Sequence, residues 1–91
     1  MHSGNGGLKG TEAEIAALEA DLAILDKRRM DLDRRISNAE QIQRHTGDTA
    51  ARQQATQELQ SLLIEMDRLM TRIRTVEGKL MLRRRGDRRW S

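Results

Sequence analysis

The residues best suited to chemistry in this sequence are arginines clustered near its C-terminal end. Five of them lie within residues 83–91, together with the only Trp of the chain. A planar guanidinium donates two parallel hydrogen bonds to a phosphate or a carboxylate, and an indole ring stacks on bases or fills an apolar pocket. The residues predicted to contact nucleic acid or an acidic partner are Arg83, Arg84, Arg85, Arg88, Arg89 and Trp90.

Three interpretations of this arginine cluster stay open. The arginines can bind a nucleic-acid backbone while Trp90 stacks on a base. They can instead dock in an acidic groove of a protein, with Trp90 as the apolar anchor. The third interpretation is that they only complement the dipole of a helix C-terminus and favour solubility. Contact with a membrane surface is less favoured, because Met81 and Leu82 offer little apolar area.

No arrangement typical of a catalytic or metal site accompanies the arginines. The chain contains no Cys and no Tyr, and His2 and His45 are far apart in sequence. The glycine-rich segment 3–7 lacks the Lys-Ser/Thr pair of a phosphate-binding loop. We therefore expect no enzymatic activity, no cofactor, no metal site and no small-molecule substrate.

Composition predicts long helices rather than a globular core. About a third of the 91 residues are charged, and Phe, Tyr and Pro are absent, which is typical of coiled coils. Residues 83–91 hold five Arg and one Asp, whereas residues 1–82 hold 12 basic and 13 acidic side chains, so the positive charge is confined to the C-terminal end. No apolar run is long enough to span a membrane. We expect a cytoplasmic location, or one within a macromolecular particle.

A first helix is predicted over about residues 11–46, after a flexible, glycine-rich arm at residues 1–10. Thr11 and Glu14 have the spacing of a capping box at a helix start. Apolar residues then recur at alternating spacings of three and four, with one polar exception, Arg29. This first seam, at heptad positions a and d, comprises Ile15, Leu18, Leu22, Leu25, Arg29, Leu32, Ile36 and Ala39.

A turn at Gly47 and a second helix over about residues 48–85 follow. Gly47 can adopt the left-handed conformation that ends a helix, and Asp48 or Thr49 can cap the next helix. Residues 86–91 are predicted to form a basic tail. The second seam comprises Ala55, Leu59, Leu62, Met66, Leu69, Ile73, Val76 and Leu80.

Residue numbers of the two seams indicate that the chain folds back on itself. Paired from the turn outward, the numbers of facing seam residues sum alternately to 94 and 95, as an antiparallel hairpin requires. The flanking g positions then give four pairs of opposite charge: Arg35 with Glu58, Arg28 with Glu65, Asp21 with Arg72, and Glu14 with Lys79. We therefore predict an all-α fold, an antiparallel two-helix coiled-coil hairpin.

The e positions behave differently, since Leu63 and Met70 widen the apolar stripe of the second helix. None of four facing e pairs combines opposite charges: Glu40 with Thr56, Asp33 with Leu63, Asp26 with Met70, and Glu19 with Glu77. These apolar residues are either ordinary surface exposure or an interface with a second copy or a partner helix, which would complete a helical bundle. Arg29 either extends its guanidinium to water, Asp26 or Asp33, or specifies register and oligomeric state. The predicted protein–protein interface comprises Leu63, Met66, Met70, Ile73, Ile24 and Ala20.

The sequence thus favours a non-enzymatic coiled-coil adaptor or structural component of a larger assembly, whose partner is another protein or itself as a homodimer. The alternative is a small nucleic-acid-binding accessory protein that uses the arginine cluster. In architecture the predicted hairpin resembles small bacterial RNA-binding helical hairpins that dimerise into four-helix bundles. A small, arginine-rich chain with one aromatic residue would suit a bacterial or phage accessory component.

Overall fold

Two long antiparallel helices form the molecule. The computed structural model describes the backbone of residues 3–90 and the side chains of residues 10–85. Helix α1 spans Ser3–His45 and helix α2 spans Thr49–Trp90, and the two pack along their length into a rod of 69 × 22 × 14 Å. The predicted all-α helical hairpin is confirmed.

The core is the predicted seam. All sixteen seam positions are buried or half-buried, and every buried residue among residues 10–85 belongs to the seam. Leu32 is the most enclosed, at 1% exposure, and Leu62, Leu69 and Ile73 are nearly as deep. Burying a side chain of this size contributes about 1.5–3 kcal/mol. Because side chains three and four positions apart share one helix face, the heptad spacing alone accounts for this core.

The turn consists of Thr46, Gly47 and Asp48. Asp48 is the cap of α2, because its Oδ1 accepts a hydrogen bond from the backbone N–H of Ala50 at 3.2 Å, as one of the two predicted alternatives required. Thr46 Oγ1 accepts a hydrogen bond from the N–H of Asp48 at 3.1 Å. The guanidinium of Arg52 donates to the carbonyl oxygen of Thr46 at 3.0 Å.

The predicted left-handed conformation of Gly47 is wrong, since no glycine among the residues that the structure describes has a positive φ. The hydrogen bonds that Thr46 and Asp48 accept satisfy polar groups at the turn. The chain therefore reverses without the left-handed residue that often ends a helix. A Cβ atom added at Gly47 would meet nothing within 4 Å. The position therefore does not require glycine for space or for backbone conformation.

Both helices extend beyond their predicted outer ends. Helix α1 begins at Ser3, not at Thr11, so Thr11 and Glu14 lie inside a helix and do not form its capping box. Helix α2 continues past Gly86 to Trp90, into the predicted tail. Adding a residue to an existing helix costs far less than starting one, and glycine weakens a helix without necessarily ending it.

Candidate functional site

The hairpin has two long sides, one on either edge of the seam. Around each helix the e position and then the b position follow a on one side, and the g position and then the c position follow d on the other side. In an antiparallel pair, e positions therefore face e positions and g positions face g positions. We call the surface formed by the e and b positions of both helices the e side, and the surface formed by the g and c positions the g side.

Charge distinguishes the two sides. The e positions are Glu12, Glu19, Asp26, Asp33 and Glu40 in α1, and Thr56, Leu63, Met70, Glu77 and Arg84 in α2. The charged g positions are Glu14, Asp21, Arg28 and Arg35 in α1, and Glu58, Glu65, Arg72 and Lys79 in α2. The e positions thus carry six acidic residues and one basic residue, whereas the g positions carry four of each. The e positions are therefore mainly acidic, whereas acidic and basic residues are equal in number at the g positions.

The ion pairs of the g side differ from those predicted. Among the side chains that the structure describes, none of the four predicted g pairs forms. Arg35 Nε instead contacts Asp31 Oδ2 at 3.3 Å within α1, and Glu14 Oε2 contacts Arg83 Nη2 at 2.8 Å. Exposed ion pairs contribute little and cost side-chain entropy, so a long side chain can exchange one neighbour for another of the same sign. The complementary pattern of charges remains, but the individual partners change.

Arg29 joins the seam to the e side. Its Nε lies 3.4 Å from Asp26 Oδ1 and its Nη1 lies 3.7 Å from Asp33 Oδ2, while 39% of its side chain stays exposed. No charged residue is buried among the described side chains. The structure therefore agrees with the interpretation in which Arg29 extends its guanidinium outward to both neighbouring carboxylates.

Apolar side chains lie within this acidic surface. Leu63 is 51% exposed and Met30, at a b position of α1, is 60% exposed. Met66 in the seam and Met70 at an e position are half-buried and pack against the core. By the register of the hairpin, all four residues lie within one heptad of each other, about 10 Å along the rod. We call this group the central methionine patch.

The structure does not bring the six predicted interface residues together. Leu63, Met66 and Met70 belong to the central methionine patch. Ile73 is only 5% exposed and lies in the core. Ile24 is exposed but occupies a c position on the g side, and Ala20 occupies an f position on the outer face of α1. Met30 and Met81 were missed as members of the e side, although their b positions can be read from the heptad.

The arginine cluster begins toward the open end of the hairpin, beside the part of α1 that contains Glu14 and Glu19. Arg83 contacts Glu14 at 2.8 Å, and Arg84 forms an ion pair with Glu19. Arg83, Arg84 and Arg85 are all exposed. The side chains of the other predicted contact residues, Arg88, Arg89 and Trp90, lie outside the described range.

Two surface grooves of about 580 Å³ each lie at this open end, one on each side of the seam. The groove on the g side is lined by Glu14, Ala17, Leu18, Lys79, Leu82 and Arg83. The groove on the e side is lined by Leu22, Glu77, Leu80, Met81, Arg84 and Arg85. Both combine apolar walls with charged rims, so each presents the kind of surface on which the flank of another helix packs.

Within the part of the chain that the structure describes, no group of three or more His, Asp or Glu side chains is placed to hold a metal ion. Over the same residues, neither helix has a stretch sufficiently long and apolar to cross a membrane. A search against protein-family models, curated proteins and solved structures finds no match to this chain.

Proposed function

We propose that the protein is a non-enzymatic coiled-coil adaptor, a structural component of a larger assembly that holds a helix of another protein against its e side. The observation that carries the proposal is the central methionine patch, where Leu63 and Met30 stay more than half exposed beside the packed side chains of Met66 and Met70. An adaptor of this kind would act in the cytoplasm or inside a macromolecular particle.

The geometry of a two-helix coil supports this function. Two helices alone cover each other on one face, and a third helix laid along the groove would cover the exposed edge of the seam. The patch lies in the middle part of the rod, somewhat nearer the turn, so a docked helix could extend in both directions over the acidic e positions. Covering Leu63 and Met30 would remove apolar area from water, which contributes about 25 cal/mol per Å² before the costs of association.

Nucleic-acid binding through the arginine cluster is the second candidate, but the described geometry favours it less. Arg83 and Arg84 already face Glu14 and Glu19, so binding a phosphate would require these pairs to open or to be shared. If the cluster binds nucleic acid, affinity should fall steeply with added salt, and truncation after Leu82 should abolish it.

Site-specific photo-crosslinking in the native host tests the adaptor function. A photoreactive amino acid placed at Leu63 reports on the e side, and the same amino acid at Ile24 provides the matched control, since Ile24 is also exposed but lies on the g side. We expect a discrete crosslinked protein from position 63 and little or none from position 24.

Equal crosslinking from the two positions, or none from position 63, would contradict an adaptor that acts through the e side. Repeating the experiment with the chain truncated after Leu82 separates the candidates. A product from position 63 that survives the truncation supports docking on the e side, whereas one lost with the arginine cluster assigns the contact to the C-terminal end.

A further inference from the structure

We infer that the occupant of the e side is a basic amphipathic helix of a different protein, one that places apolar residues on the central methionine patch and Arg or Lys over the carboxylates around it. This inference rests on the proposed adaptor function and specifies the chemistry of the partner. It starts from the charge of the e side, from the side chains of its patch and from what two copies of this chain would do to each other.

The carboxylates of the e side recur at heptad spacing along α1. Glu12, Glu19, Asp26, Asp33 and Glu40 follow one another every seven residues, a separation of about 10 Å along the helix axis. A partner helix that carries a basic residue at every seventh position would match this row. Partners with acidic flanks would meet charge of the same sign, which sets specificity as well as association rate.

Arg84 pairs with Glu19 near one end of this row, and Arg29 offsets part of the charge in its middle. Its guanidinium contacts both Asp26 and Asp33, so one positive charge serves two carboxylates. Both carboxylate side chains remain about 60% exposed and can accept further hydrogen bonds from a guanidinium or an ammonium group. The middle of the e side therefore keeps acceptors for a basic partner directly beside the apolar patch.

Methionine dominates the apolar part of the surface. Beyond Met1, the methionines of the chain are Met30, Met66, Met70 and Met81, and all four occupy a, e or b positions on or next to the e side. The unbranched, polarizable thioether adapts to irregular neighbours and is favoured at surfaces that receive helices. A surface that combines adaptable methionines with a row of carboxylates is complementary to an amphipathic helix with basic flanks.

A second copy of this chain is a poor occupant. An isologous contact between two e sides would bring two acid-rich rows together, and like charges across an interface oppose association. In the basic end of a second copy, Arg83 and Arg84 are already engaged by Glu14 and Glu19. The observations therefore favour a different protein over a homodimer.

Peptide binding to the full chain tests the inference. The first probe is a fluorescent helical peptide of about three heptads, with Leu on one face and Arg at the flanking positions. The second probe carries Glu in place of Arg and is otherwise identical. We expect the basic peptide to bind and the acidic peptide to bind at least about tenfold more weakly, with the difference shrinking between about 50 mM and 500 mM salt.

Two matched pairs of variants locate the site. Leu63→Asp on the e side should weaken binding of the basic peptide about tenfold or more, whereas Ile24→Asp on the g side should leave it within about twofold. The double variant Asp26→Asn, Asp33→Asn should weaken binding about fivefold to tenfold. Its control, Glu58→Gln with Glu65→Gln, removes the same charge from the g side and should have little effect. Circular dichroism checks that every variant remains helical.

Several results would overturn the inference: no binding of the basic peptide, equal binding of both peptides, or equal losses from e-side and g-side variants. Light scattering that shows a dimer of the wild type but a monomer of Leu63→Asp would assign the e side to a second copy instead. If the basic peptide fails while position 63 still crosslinks to a protein in the host, the adaptor function stands and only the basic class of partner is wrong.

Discussion

The two sides of the hairpin share one seam but use their charges differently. On the g side, acids and bases are equal in number and are placed so that opposite signs can face each other across the helices. On the e side, acids outnumber bases and lie beside Leu63 and Met70. The g side places opposite charges where they can pair within the chain, whereas the e side keeps an excess of acidic groups and exposed apolar side chains after Arg29 has paired with Asp26 and Asp33, and Arg84 with Glu19. The e side is therefore the surface better suited to bind a partner.

The largest effect should come from the seam on which both sides depend. Leu32→Ala removes the most enclosed side chain and should lower the free energy of unfolding by about 2–5 kcal/mol. Leu63→Ala removes the same atoms from a half-exposed position and should cost less than about 1 kcal/mol. Urea denaturation followed by circular dichroism measures both. Similar losses would mean that the e side already belongs to the core and is not free for a partner.

Arg29→Leu should produce the next largest effect and sharpen the contrast between the sides. Leucine would fill the seam opposite Met66, and we expect the free energy of unfolding to rise by about 1–2 kcal/mol. Removing the guanidinium also leaves Asp26 and Asp33 uncompensated, so the basic peptide should bind about twofold to threefold more tightly. Thermal unfolding and fluorescence anisotropy measure the two quantities. A loss of stability would show that the ion pairs of Arg29 with Asp26 and Asp33 outweigh the gain from an apolar side chain in the seam.

The smallest effect concerns charge reversal on the two sides. Glu65→Lys on the g side places a third base near Arg28 and Arg68 and should destabilise the hairpin by about 0.5–1 kcal/mol. On the e side, Glu77→Lys gives Glu19 a second basic neighbour while Arg74 loses an acidic one, so stability should change by less than about 0.3 kcal/mol. Chemical denaturation at low salt measures the difference. Equal destabilisation by the two reversals would remove the electrostatic contrast between the sides.

The seam could be predicted completely from the sequence, because the heptad spacing of Leu32, Leu62 and their neighbours determines which side chains meet. The cap at Asp48 followed from the preference of helix starts for short polar acceptors. The heptad positions also predict that Ile24 and Leu63 lie on opposite sides of the hairpin, since c and e positions are separated by about 160° around a helix.

Other features could not be predicted, because the alternative conformations or ion-pair partners differ little in free energy. At the turn, the guanidinium of Arg52 donates a hydrogen bond to the carbonyl oxygen of Thr46, a contact that no local sequence pattern indicates. Glu14 contacts Arg83 rather than Lys79, because long exposed side chains can reach more than one partner. The outer ends of the helices depend on how far a formed helix extends through glycine, where small differences per residue decide.

The three-residue turn has a mechanical consequence. It joins the helices at one end of the 69 Å rod, so Ser3 and Trp90 both lie near the other end. A force that pulls these ends apart does not shear the whole seam at once. It unzips the hairpin one layer at a time, beginning at Ile15 and Leu80 and reaching Ala39 and Ala55 last, so resistance at each moment comes from a single layer.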